Sequence, residues 1–93
     1  MLPKVIRRSI IVRGRPLEVL MDIEGKWRGM VHIYDTSLPK AQNRDMLVSG
    51  AKYLFDKHVI EVDVEDDVMV PDLGFVAEAL AHASISLRLA LSN

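Results

Sequence analysis

Apolar and polar residues alternate along the first third of the chain, and the pattern predicts an antiparallel meander. From Leu17 to Ile23 every second residue is a large apolar one, the period of a strand with one buried face. Residues 4–12 before it are rich in β-branched side chains, which suit a pleated surface. Residues 26–34 after it place Trp27, Val31 and Ile33 on one side, so we expect Trp27 in the core. Turn residues at 13–16 and at Gly25 separate the three strands.

Helical spacing replaces alternation after residue 35. Thr36, Ser37 and Pro39 form a helix-start signal. One stripe of a 3.6-residue repeat then follows at Leu47, Ala51, Leu54, Phe55 and His58. The spacing predicts a helix that extends to residue 58. Because Ser49-Gly50 interrupts the stripe, a hairpin over 46–58 with a short strand at 46–48 is the alternative interpretation.

The last third predicts one more strand and one more helix. Apolar residues from Ile60 to Val64 alternate with acidic ones, which is typical of a half-buried strand. Pro71-Asp72 is a helix-start signal before a run that is apolar nearly all round. Residues 84–91 also alternate and could form a strand, but their Ala and Leu content favours a helix. We therefore expect a single α+β domain, residues 1–93, in the order β-β-β-α-β-α. Two helices would cover one face of an antiparallel sheet made of the three-stranded meander and a fourth strand.

Composition narrows the class of protein. The chain has 93 residues and 49% hydrophobic residues, enough for one core, and no Cys. The absence of Cys excludes disulfides and thiolate sites and favours a cytoplasmic location. Lys4, Arg7 and Arg8 interrupt any apolar signal region. Glu78, His82 and Arg88 argue against a membrane-spanning helix at the C-terminal end.

Catalytic and metal-binding motifs are not recognisable. His32, His58 and His82 lie on separate predicted elements, without a second ligand at metal-binding spacing. The acidic run that starts at Asp63 has the opening spacing of a calcium loop but lacks the required Gly and final Glu. No glycine-rich phosphate loop or nucleophile elbow is present. We expect no catalytic residue, no metal and no cofactor. A further hypothesis is a small enzyme or ligand site near His32, Tyr34 and Asp35.

The positive charges are concentrated at the N-terminal end. Residues 1–30 carry seven Lys and Arg residues against three acids. The segment Arg13-Gly14-Arg15-Pro16 resembles the core of the AT-hook family, and this resemblance over four residues implies contact with the minor groove of A/T-rich DNA. A basic surface could neutralise phosphates, so nucleic-acid binding is our alternative hypothesis. Its candidate contacts are Arg7, Arg8, Arg13, Arg15, Lys26 and Arg28.

The C-terminal helix carries our main functional hypothesis. One side of it is predicted to pack on the sheet, and the opposite side is apolar as well. A 93-residue subunit has too little protein to bury both sides, and exposed apolar patches usually mark interfaces. We therefore predict a non-enzymatic interaction module that forms a homodimer or binds a protein partner. The predicted interface residues are Phe75, Ala79, Ile85 and Leu89.

Overall fold

The structure is a computed structural model that describes residues 4–92. Five strands form one antiparallel sheet in chain order, each paired with the next. One long helix follows the last strand. The elements are β1 (Val5–Val12), β2 (Arg15–Asp22), β3 (Met30–Asp35), β4 (Met46–Leu54), β5 (Val59–Glu61) and α1 (Leu73–Leu91), with one short helical turn, Ala41–Asn43, between β3 and β4.

The α+β class is confirmed, but the predicted count of elements is wrong. The structure has five strands rather than four and one long helix rather than two. The difference lies in residues 36–58, where we expected a helix and the structure has a turn, the strand β4 and the hairpin to β5. The alternative interpretation, a hairpin over 46–58, is right that a strand begins at Met46, but its turn is misplaced: β4 runs through Ser49 and Gly50, and the turn to β5 lies at residues 55–58.

Two β-bulges explain the false helical pattern in β4. Val31 pairs with Ala51 and His32 with Ser49, so Gly50 is an extra residue on β4. A second register shift lies between Ile33 and Tyr34. Each extra residue moves the buried positions out of step with strict alternation. The buried side chains of β4 therefore fall at Leu47, Val48, Ala51 and Tyr53, and the interval from Leu47 to Ala51 is the one that matches a helical repeat.

The fourth predicted strand is shorter than its sequence pattern. β5 ends at Glu61 because the chain then turns: the Asp67 N–H donates to the carbonyl of Asp63 over 2.7 Å. The chain afterwards returns to β4, where Val68 forms an isolated bridge with Val48. The apolar alternation from Ile60 to Val64 thus spans the end of a strand and the start of a tight acidic turn.

The helix begins where the sequence predicts. The carboxylate of Asp72 accepts from the Phe75 N–H over 3.1 Å, which satisfies one of the free N–H groups of the first turn. The helix continues without a break to Leu91, so the strand alternative for 84–91 is wrong. By length and composition alone α1 could also cross a membrane. In this fold, however, one side of it packs on the sheet through Phe75, Val76, Ala79, Ala83 and Leu87.

The core lies between α1 and one face of the sheet. Leu17, Val19 and Met21 of β2 point to this covered face, next to Val31 and Ile33 of β3. Trp27, which we expected in the core, is 55% exposed in the turn between β2 and β3. The opposite face of the sheet, formed by the alternate residues of the same strands, has no α-helix over it in the described part of the chain. We call it the open face.

Candidate functional site

The open face carries a groove of about 490 Å³, which lies over β1 to β3 next to the connection that follows β3. Residues of β1, β2 and β3 that point to the open face form its floor. The connection from Thr36 to Asp45 forms its wall. This volume lies within the range of small-molecule sites, roughly 300 to 1,000 Å³. The lining residues that matter below are Arg7, Leu20, Tyr34, Leu38, Lys40 and Asp45.

Two aspartates of this region are buried, and their surroundings differ. Asp35, at the end of β3, is fully buried and accepts hydrogen bonds from Arg15 Nε over 2.9 Å and from the Ser37 N–H over 2.9 Å. Burial by itself raises the pKa of Asp35, but the bonds from Ser37 and the bond and charge of Arg15 outweigh it, so the pKa lies below its ordinary value. Asp35 is therefore a structural carboxylate with its charge compensated.

Asp45 is also buried, with 6% of its surface exposed, but its carboxylate receives no hydrogen bond or ion pair from residues 4–92. No side-chain oxygen in that range is both fully enclosed and unpartnered, so the oxygens of Asp45 retain contact with solvent. The residue lines the groove. Our sequence analysis did not identify Asp45. It lies in a loop, and its burial results from how the loop folds against β3, where its carbonyl accepts from the Asp35 N–H.

The outward side of α1 is a second candidate site. Ile85 and Leu89 are each 63% exposed. They continue a ridge, at intervals of four residues, that also contains Leu73, Ala77 and Ala81, all of them exposed. Phe75 and Ala79, which we predicted to lie on this outward side, lie instead in the core against the sheet. The helix is apolar enough on all sides that the sequence did not distinguish its inner face from its outer face.

The predicted basic surface is largely engaged within the chain. Arg13 donates to Glu78 over 2.6 Å, Arg15 pairs with Asp35, and Arg7 pairs with Glu18 over 3.0 Å. The other cationic side chains differ in their surroundings. Arg28 lies over the Phe55 ring, Lys26 lies over the Trp27 ring, and Arg8 is exposed on β1.

The AT-hook-like tetrapeptide has a structural role. Arg13 and Gly14 form the β1–β2 turn, and Arg15 and Pro16 begin β2. The guanidinium carbons of Arg13 and Arg15 lie 5.9 and 4.3 Å from the centre of the Phe75 ring. These contacts connect the turn to the start of α1. Nucleic-acid binding stays a prediction, and a filter-binding titration over a range of salt concentrations would test it.

The remaining candidate residues do not converge. His32 and Tyr34 lie on the open face with ring centres 6.4 Å apart, whereas Asp35 points to the covered face. His58 bonds through Nδ1 to the buried Tyr53 hydroxyl over 2.8 Å, and Glu78 pairs with Arg13. Among residues 4–92 no three His, Asp or Glu side chains are grouped closely enough to hold a metal ion.

The acidic run that starts at Asp63 is a self-contained turn. The Asp63 carboxylate accepts from the N–H groups of Glu65 and Asp66, and the Asp67 carboxylate accepts from the Asp63 N–H. One carboxylate oxygen of Asp63 and one of Asp67 are thus engaged by the backbone of the turn itself.

Comparison of the chain with family models, with curated proteins and with solved structures finds no match.

Proposed function

We propose that this protein is an interaction module that self-associates through the outward ridge of α1. The observation that carries the proposal is the exposure of Ile85 and Leu89, at 63% each, on one side of a helix whose other side is buried in the core. Two large aliphatic side chains one turn apart form a patch that gains free energy by leaving water, at roughly 25 cal/mol per Å² of apolar surface.

The ridge is also complementary to a second copy of itself. Helices that cross at about 50° interlock their rows of side chains at four-residue spacing. Applied to two antiparallel copies, such a crossing brings Ile85 beside Ala81 of the partner and Leu89 beside Ala77. The large side chains of one ridge then fill the space left by the small side chains of the other, as a two-fold interface requires.

Size-exclusion chromatography with light scattering tests the proposal. We expect a dimer for the wild type and a monomer for Ile85→Glu and Leu89→Glu, because a carboxylate in an apolar interface lacks a partner. Ile11→Glu is the matched control: Ile11 is 68% exposed, but on the opposite side of the molecule. A monomeric wild type, or dissociation of the dimer by Ile11→Glu alone, would contradict the proposal.

A further inference from the structure

We infer that the groove on the open face binds an alkylammonium group, with Asp45 as its counter-charge. Asp45 is 6% exposed, and the hydration left to its carboxylate is limited to the solvent contact of its oxygens. Carboxylates that are mostly buried in proteins are usually paired. Asp35 has such partners in Arg15 and Ser37. Asp45 has none within residues 4–92. Asp45 lines the groove, so a ligand in the groove can reach it.

The walls of the groove favour an organic cation over a metal ion. Asp45 is a lone carboxylate, and residues 4–92 contain no group of three metal-ligating side chains. Divalent cations require several oxygen ligands. In contrast, Leu20, Tyr34 and Leu38 supply apolar and aromatic surface that suits methylene groups, and an aromatic face attracts an ammonium group.

The cationic residues of the groove indicate what the other end of the ligand carries. Arg7 is neutralised by Glu18 at 3.0 Å. Lys40 is exposed and makes no ion pair with another described residue. A ligand with an ammonium group at one end and a carboxylate at the other complements both Asp45 and Lys40. The ligand class is therefore an amino acid-like zwitterion with an aliphatic body.

Titrations of the ¹⁵N-labelled protein, followed by the amide signals of residues 34, 38 and 45, test this inference with three probes of similar length. We expect 6-aminohexanoate to bind most tightly, pentylammonium more weakly, and hexanoate not at all. Nα-acetyl-lysine methylamide distinguishes the source of the ammonium group. If it binds more tightly than 6-aminohexanoate, the natural ligand is a lysine side chain of a polypeptide rather than a free zwitterion.

Two variants separate the roles of the charged groups. Asp45→Asn should lower the affinity for 6-aminohexanoate and for pentylammonium by about tenfold or more, since the charge-assisted bond is lost. It should leave the thermal midpoint unchanged or higher, because an unpaired buried charge is removed. Lys40→Met, at an exposed position, should abolish the advantage of 6-aminohexanoate over pentylammonium and leave pentylammonium unaffected.

The inference is wrong if pentylammonium causes no shifts, if hexanoate binds as well as pentylammonium, or if Asp45→Asn retains wild-type affinity. A lower thermal midpoint in Asp45→Asn together with unchanged binding would assign Asp45 a structural role only. Because the groove and α1 lie on opposite sides of the sheet, the titration can be repeated on Leu89→Glu. The outcome is thus independent of the proposed self-association.

Discussion

Arg15 donates from Nε to the buried carboxylate of Asp35 over 2.9 Å while its guanidinium lies 4.3 Å from the centre of the Phe75 ring. One side chain thereby connects the start of β2, the end of β3 and the first turn of α1. Arg15, a candidate nucleic-acid contact in our alternative hypothesis, is part of the link between the sheet and the helix.

We expect Arg15→Met to lower the free energy of unfolding by about 2 kcal/mol, because Asp35 is left buried with fewer partners. Arg7→Met is the matched control. The pair between Arg7 and Glu18 is exposed, and its loss should cost less than about 1 kcal/mol. Urea denaturation of both variants measures the difference. Equal losses would show that the Asp35 contact adds nothing beyond a surface ion pair.

The contribution of Asp35 to stability should depend on pH. The pKa of Asp35 is lower in the folded protein than its ordinary value of 3.8. Its ionised form therefore stabilises the fold above that value, and the contribution is lost as the pH falls through the lowered folded pKa. The stability difference between wild type and Asp35→Asn should shrink when urea unfolding is compared at about pH 7 and about pH 3. A difference that does not change with pH would contradict the assignment.

Phe75 should contribute to stability and not to association. Its ring is buried against the sheet, so Phe75→Ala should cost about 3 to 5 kcal/mol. The loss should be the same at low and at high protein concentration, as denaturation over a wide range of concentrations can show. A loss of stability that depends on protein concentration would show that Phe75 contributes to the interface, as the sequence pattern predicted.

Substitution of Gly29 should destabilise the fold more than substitution of Gly25. Both have positive φ, +89° and +82°, so an added side chain strains the backbone at either position by roughly 1 to 2 kcal/mol. At Gly29 a Cβ would also lie 3.1 Å from the Tyr53 carbonyl oxygen, whereas at Gly25 it would meet open space. Thermal denaturation should therefore show a larger loss for Gly29→Ala than for Gly25→Ala. Equal losses would mean that the neighbouring strand moves aside freely.

Local sequence signals were sufficient to predict some of the secondary-structure elements. The alternation from Leu17 to Ile23 predicted β2, and Asp72 marked the start of α1, because each depends on neighbours only a few residues away. The predicted helix over residues 36–58 failed for a reason outside the local pattern. The register shifts of β4 arise from its pairing with β3, and they produced helical spacing in a strand.

The groove and the difference between the two sides of α1 could not be predicted from the local sequence pattern either. Nothing near Asp45 in the sequence indicates that it is buried, since its burial depends on the loop folding over the open face. Likewise, Phe75 and Leu89 are equally apolar choices for an interface until the sheet covers one of them.

The chain alone determined that this is a small α+β domain with an N-terminal meander and a capped C-terminal helix, because alternation, turns and caps act over a few residues. The tertiary structure decided which helix face is covered, which arginines are paired and which aspartate lines a groove. Those outcomes rest on contacts such as Arg13 with Glu78, between residues 65 positions apart, and no local pattern contains them.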